Sequence, residues 1–220
     1  PVYMNKNLRI ILYLITSVFF YSCNDSATGS DTLDFDKLYV TLQGTHKVVI
    51  LNTSTLEIIE EVDIDVGMMP TPHYVALDED NGYWFVSAIV ADKIAMYSME
   101  TNELIATVSV DEDPAILSID TSSKKLYSSR MMIMNMGGMT MGSTANLVDE
   151  ISYNEGGMTL LQNYDSGVPT PHGLSLSEDK TILLTASNTT DFLSRINVVS
   201  GEINYVPLDP AINDIPTLEI

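Results

Sequence analysis

The sequence has only one cysteine and one tryptophan in 220 residues, and it has 10 basic side chains against 30 acidic ones. A single cysteine excludes an internal disulfide framework. The net charge of −20 repels phosphate backbones, so nucleic acid is not expected as a partner. No nucleophile-elbow, phosphate-loop, dinucleotide-binding or Cys-x-x-Cys-His haem motif is present. No complete catalytic constellation remains, and the composition favours a binding protein over an enzyme.

The apolar run near the N-terminus is too short to cross a membrane as a helix. It covers residues 10–21, about 12 residues against the roughly 20 that a spanning helix needs. Lys6 and Arg9 precede it, and small polar residues follow it. A basic start, a short apolar centre and a small residue at its end are typical of a secretory signal peptide. We predict a signal peptide over residues 1–22, with translation beginning at Met4.

Cys23 follows this apolar run directly. The stretch resembles the lipobox of bacterial lipoproteins, and the resemblance implies that Cys23 becomes a lipid-modified first residue. An ordinary signal peptide or an anchor helix is the alternative. Residues 23–34 are rich in Ser, Thr, Asp and Gly and predict a flexible tether. Several acyl chains would hold the mature protein stably at a membrane surface in the bacterial cell envelope.

From residue 35 onward the sequence consists of short apolar runs separated by turn residues, which is typical of antiparallel strands. One unit holds strands near Tyr39, Lys47 and Leu56. The same order returns at Trp84, and two further units begin at Pro114 and Pro171. The period is about 46 residues, close to the roughly 40–50 of one propeller blade. The sequence therefore predicts an all-β protein, a β-propeller of four-stranded antiparallel blades.

Two runs resemble a known repeat. Tyr39-Val40-Thr41 followed by residues 47–53 is similar to the YVTN-type repeat, although Leu42 and Asn52 stand where the family has Asn and Asp. The resemblance implies an exported propeller of seven blades. It also brings in the related amino-terminal domain of nitrous oxide reductase and the haem d1 domain of nitrite reductase. About four units fit between residues 35 and 210, so we expect residues 35–220 to be part of a longer propeller.

The tetrapeptide Pro-Thr-Pro-His occurs twice, at residues 70–73 and 169–172, and each copy opens an alternating apolar run. In a propeller such a run is the innermost strand of a blade. His73 and His172 are therefore expected at the mouth of the channel, in blades two and four, while the third unit has Ala115 at the matching position. Neutral imidazole is a good ligand for Cu, Fe or Zn. The alternative is that the prolines and histidines only fix the entry into the strand.

A methionine-rich stretch interrupts the third unit. It contains six methionines in 11 residues around a Gly-Gly pair: Met131, Met132, Met134, Met136, Met139 and Met141. Thioether sulfur is a soft ligand that selects Cu(I), so this stretch is a candidate copper site. The alternative is an apolar loop that packs on a neighbouring blade.

Two functions follow from these features. In the first, the protein is a membrane-anchored binding module whose loops engage a protein, a glycan or a small ligand. In the second, it is a metal-handling protein or part of a copper- or haem-dependent oxidoreductase that uses His73, His172 and the methionine-rich stretch. The third histidine, His46, lies in a polar turn and is expected to be solvated.

Overall fold

The computed structural model describes residues 36–130 and 146–209. These residues form 15 strands and two short 3-10 turns in four antiparallel sheets, each built from consecutive strands. Strand β1 is Lys37–Leu42, β2 is Lys47–Asn52 and β3 is Ile58–Asp63, and they form a three-stranded first sheet. The predicted β-propeller is confirmed, because each repeat unit folds into its own sheet.

The other three sheets have four strands each, in sequence order. The second holds β4 to β7, which are Pro72–Asp78, Tyr83–Ala88, Lys93–Ser98 and Leu104–Ser109. The third holds β8 to β11, which are Pro114–Asp120, Lys125–Arg130, Leu147–Asn154 and Gly157–Asp165. The fourth holds β12 to β15, which are Pro171–Leu176, Ile182–Ser187, Phe192–Asn197 and Ile203–Pro207.

The first strands of the three complete blades lie side by side. Strand β8 contacts β4 on one side and β12 on the other, which makes these three the innermost strands. The sequence expectation that each Pro-Thr-Pro-His enters an innermost strand agrees with this arrangement. The loops that precede β4, β8 and β12 therefore share one end of the sheets, which we call the rim end.

Each pair of neighbouring blades encloses its own apolar core. Between blades one and two, Trp84 stacks on Tyr97 with the ring centres 4.2 Å apart, and Val48 and Ile50 pack beside them. Similar clusters lie between blades two and three and between blades three and four. Blade-on-blade burial of apolar side chains is what stabilises such a stack. The last strands of the sheets, β3, β7, β11 and β15, are exposed or partly exposed along most of their length.

Candidate functional site

His73 and His172 occupy the second position of their strands, and both stand in a β-bulge. Pro72 pairs with Ala88 and Pro171 pairs with Ser187, and the register shifts immediately after each proline. A bulge leaves one residue without a partner and redirects its side chain. The sequence repeat therefore has a structural cause, because both histidines are turned out of the regular ladder at the rim end.

The residue before each of these prolines has a left-handed backbone. The φ angle is 51° at Thr71, 32° at Asp113 and 47° at Thr170. Residues other than glycine rarely adopt this conformation, and it persists only where the surroundings hold it. Here the carbonyl oxygen of Thr71 accepts a bond from the Ile89 amide at 3.3 Å, and that of Thr170 accepts one from Asn188 at 3.0 Å. The entry into each innermost strand is thus fixed on both sides of the proline.

The two histidines meet although 99 positions separate them in the chain. Their Nε2 atoms lie 3.4 Å apart, and the ring centres are 5.6 Å apart with the planes at 64°. The nitrogen tips are the nearest parts of the rings, so the imidazoles face each other end to end and do not stack. Ala115 of the intervening blade is buried. The blade between them thus carries no third imidazole at the matching position.

A repeated hydrogen bond between blades supports this arrangement. Thr41 Oγ1 donates to the carbonyl oxygen of His73 at 3.1 Å, and Ser129 Oγ donates to that of His172 at 2.7 Å. In the third blade, Ser87 Oγ donates to the carbonyl oxygen of Ala115 at 2.7 Å. In all three cases a hydroxyl on one blade, from β1, β5 or β9, thus holds the bulged residue of the next blade.

Burial lowers the pKa of both imidazoles. For His73 the loss of hydration is the larger cause and the neighbouring His172 adds to it, and for His172 the loss of hydration is the cause. A histidine with a lowered pKa is neutral at neutral pH, so a nitrogen lone pair is available to a ligand. The pair is therefore a neutral, nitrogen-rich centre in a chain of strong negative charge.

Gln43 is the hydrogen-bond partner of the first imidazole. Its Nε2 lies 2.5 Å from Nδ1 of His73, and when the amide donates to that nitrogen the ring proton is on Nε2 of His73. In that tautomer His73 donates to Nε2 of His172, whose own proton is then on Nδ1. Because the other arm of the amide is a carbonyl oxygen, Gln43 can also accept from a protonated Nδ1 after rotating by half a turn.

We expect Ser129→Ala and Ser87→Ala to destabilise the fold equally but to differ at the histidines. Each leaves a carbonyl oxygen without its hydroxyl donor, which costs about 1–3 kcal/mol where the group is buried. Urea denaturation measures this shared loss. Only Ser129 holds His172, so only Ser129→Ala should shift the imidazole nitrogen resonances of His172 in NMR spectra. Equal shifts in both variants would show that the bond does not position this histidine.

The expectation of a solvated His46 is wrong. Its ring is half-buried, and Nδ1 accepts the backbone N–H of Thr71 at 3.4 Å. The cause is the left-handed backbone of His46, with φ 59°, which closes the turn after the short helix Gln43–Thr45. All three histidines consequently lie at the rim end, and His46 helps to hold the loop that leads to His73.

The remaining sequence candidates, Cys23 and the six methionines from Met131 to Met141, lie outside the described residues. Within residues 36–130 and 146–209, no group of three or more His, Cys, Asp or Glu side chains is arranged to hold a metal ion. In the same residues no helix is long and apolar enough to cross a membrane.

Sequence reasoning missed two features beside the candidates. Gln43 carries no motif, and only its position in the turn before β2 brings it to His73. Arg130 of β9 and Asp149 of β10, both in blade three, form a buried ion pair, with Nη2 and Oδ1 2.5 Å apart. An arginine that directly precedes the methionine-rich stretch was the available signal for this pair.

Comparisons with known proteins establish the fold alone. No protein-family model and no curated protein matches the chain. Hydrazine synthase of Kuenenia stuttgartiensis is similar in structure, with a TM-score of 0.60 and 18% identity over 78% of this chain and 46% of that one. A 6-phosphogluconolactonase-like protein of Bacteroides fragilis gives 0.61 and 15% over 79% and 51%. Streptogramin B lyase gives 0.59 and 14% over 78% and 51%. These structures are β-propellers, and the chain spans about half the length of each.

Proposed function

We propose that the chain is the binding module of a lipid-anchored protein of the bacterial cell envelope, and that it binds a transition-metal ion between His73 and His172. The observation that carries the proposal is the approach of the two Nε2 atoms to 3.4 Å. Two imidazole nitrogens on one tetrahedral zinc ion, each about 2.0–2.1 Å from the metal, lie about 3.3–3.4 Å from each other. The spacing of the pair is therefore that of two ligands on one ion.

The chemistry of the pair agrees with its spacing. Imidazole suits zinc and copper ions, and it binds them in its neutral form. Both rings are biased towards that form by burial, which lowers their pKa. Rotation of Gln43 would let it accept from Nδ1 of His73, which frees Nε2 for the metal and orients the ring, as an outer hydrogen-bond partner does in metal sites.

Binding is the preferred function over the oxidoreductase that the sequence left open. In the part of the chain that the structure describes, no Cys, Asp or Glu joins the two imidazoles to form a group of three. Two ligands hold an ion with open positions, which suits capture and transfer. The copper- or haem-dependent oxidoreductase requires further groups from outside the described residues, and it remains the second candidate.

We expect a double variant, His73→Gln with His172→Gln, to lose metal binding. The titration uses Zn²⁺ and, under reducing conditions, Cu(I), each in competition with a chelator of known affinity. All six methionines of the stretch, Met131, Met132, Met134, Met136, Met139 and Met141, are changed to leucine in every sample, so that this stretch contributes no thioether. Binding by the parent that is weakened roughly 100-fold or more in the double variant supports the site.

His46→Gln is the matched control for this titration, because His46 lies at the same end but outside the pair, and the glutamine side-chain oxygen can still accept the Thr71 N–H that His46 accepts. It should retain the affinity of the parent. A parent that binds neither ion, or an equal loss in His46→Gln, would contradict the proposal. Affinity should also fall as the pH falls through the pKa of the imidazoles, since protons compete with the metal for the same nitrogens.

The anchor is tested separately through Cys23. Cys23→Ala removes the residue that would carry the lipid, and we expect the full-length protein to move from the membrane fraction to the soluble fraction. Cys23→Ser serves as a second variant that keeps the size of the side chain. Continued membrane attachment of both variants would rule out lipidation as the anchor.

A further inference from the structure

Two loops at the rim end share one framework and differ in a single inserted residue. Residues 65–73 read Asp-Val-Gly-Met-Met-Pro-Thr-Pro-His, and residues 165–172 read Asp-Ser-Gly-Val-Pro-Thr-Pro-His. Both have a left-handed threonine before the second proline, while the glycine has φ 157° in the first loop and 66° in the second. Their ends are fixed in the same way, so the extra residue in the first loop, Met69, must be accommodated between them.

The insertion turns apolar side chains outward. Val168 in the shorter loop is completely buried, with 0% of its surface exposed. In the longer loop, Met68 at the equivalent position is 87% exposed and Met69 is 60% exposed. The shorter loop thus buries its apolar residue, whereas the longer loop exposes two apolar residues to solvent.

The exposed methionines sit on a well-bonded loop. Lys93 Nζ donates to the carbonyl oxygen of Val66 at 2.8 Å, and Thr71 Oγ1 donates to that of Met69 at 3.1 Å. Met69 has φ 51°, a conformation that a residue other than glycine adopts only when its surroundings hold it. A loop held in this way loses little conformational entropy when a partner binds to it.

A neighbouring loop extends the apolar surface. The short helix Ile89–Ala91 lies against the methionine loop, because a Cβ placed on Gly67 would come within 3.1 Å of Ala91 Cβ. Val90 of this helix is 43% exposed. We call the surface formed by Met68, Met69 and Val90 the methionine face. Methionine is adaptable and is over-used where proteins bind partners.

The charges around this face favour a basic partner. The six described loops at the rim end are residues 43–46, 64–71, 89–92, 110–113, 166–170 and 188–191. They contain six acidic residues, which are Asp65, Asp92, Asp111, Glu112, Asp113 and Asp191, and no lysine or arginine. The bases nearest to these loops already have partners. Arg130 is paired with Asp149 and lies 3.5 Å from Asp111, while Lys47 and Lys93 are bonded to Glu61 and to the carbonyl oxygen of Val66. Such a surface attracts positive charge and repels negative charge.

From these observations we infer that the methionine face is the docking site for a basic amphipathic protein segment, whose apolar side chains cover Met68, Met69 and Val90 while its lysines or arginines face the acidic loops. A second copy of this chain is disfavoured as the occupant because each copy has a net charge of −20. An anionic membrane surface is disfavoured for the same reason.

The test uses the full chain and two synthetic peptides of equal positive charge. One is an amphipathic peptide of lysine and leucine, and the other has serine in place of every leucine. Binding is measured by fluorescence anisotropy at low and at physiological ionic strength. We expect the first peptide to bind the parent, and Met68→Ser with Met69→Ser to weaken this binding roughly 10- to 100-fold. The serine peptide should bind weakly and equally to both proteins.

Val199→Ser is the matched control, because Val199 is 80% exposed in a turn at the opposite end of the sheets. It should leave the affinity unchanged. An equal loss with Val199→Ser, or no loss with the methionine variant, would overturn the inference. Concentration-dependent self-association that disappears in the methionine variant would also overturn it, since the occupant would then be a second copy. The metal titration of the His73 and His172 variants is independent of both outcomes.

Discussion

Replacing Asp149 with leucine is expected to lower the free energy of unfolding by about 3–5 kcal/mol, because it leaves the Arg130 guanidinium buried without its main counter-ion. Arg130 donates through Nε at 3.1 Å and through Nη2 at 2.5 Å to the two carboxylate oxygens of Asp149. Both side chains belong to blade three and are almost completely buried. Asp111 lies 3.5 Å from the same guanidinium but is largely exposed, so it compensates only in part.

Removing both charges should restore most of this stability. In the double variant Arg130→Met with Asp149→Leu neither charge of this pair remains, and such replacements are often neutral or stabilising. Urea denaturation of the single and double variants gives the coupling energy directly. Lys47→Met, which breaks an exposed pair with Glu61, is the control and should have little effect. If Asp149→Leu lowers the free energy of unfolding by less than about 1 kcal/mol, the Arg130 guanidinium must reach solvent when its partner is lost.

Much of the fold could be read from the sequence because the hydrogen bonds of each blade are local. Every sheet joins consecutive strands, so alternating apolar runs and turn residues contain nearly all the information that a blade requires. The unit that begins at Pro114 was recognisable although the methionine-rich stretch interrupts it, since β8 and β9 form before the interruption. The contacts between different blades could not be read in this way, because they join residues that are far apart in the sequence.

The candidate site shows the limit of such patterns. The repeat predicted that His73 and His172 lie at equivalent places, and the structure adds that they contact each other. That contact joins two blades across 99 positions of the chain, so it depends on how the blades pack. No residue near either histidine encodes that packing. Gln43 approaches His73 through the same long-range packing, so no local signal identified it.

The methionine face gives a further example of what the sequence hides. Met68 and Val168 follow the same Asp-x-Gly sequence, but one is exposed and the other is buried. The difference arises from one inserted residue between anchors that are fixed by contacts elsewhere in the fold. Methionine is abundant in residues 131–141, so composition identifies that stretch. Composition does not identify Met68 and Met69, because two methionines in a loop are not unusual.

Replacing Gly167 with alanine is expected to destabilise the rim more than any other glycine substitution in the described loops. Gly167 has φ +66°, and a Cβ placed there would lie 1.7 Å from the Tyr205 hydroxyl oxygen and 2.2 Å from Cζ. The left-handed backbone alone costs about 1–2 kcal/mol. The overlap must also displace the Tyr205 ring from the loop that leads to His172, so the total should reach about 3 kcal/mol or more.

Gly201→Ala separates these two contributions, because Gly201 has φ +75° and no atom lies within 4 Å of its added Cβ. It should show the backbone cost alone in thermal or urea denaturation. In the Tyr205→Ala background the overlap is absent. There, Gly167→Ala should lower the free energy of unfolding only by about as much as Gly201→Ala does in the parent. Equal losses for Gly167→Ala and Gly201→Ala would mean that Tyr205 moves freely, and the shorter loop would then not be held by this contact. A larger loss that also shifts the His172 resonances would link the packing of this loop to the histidine pair at the rim.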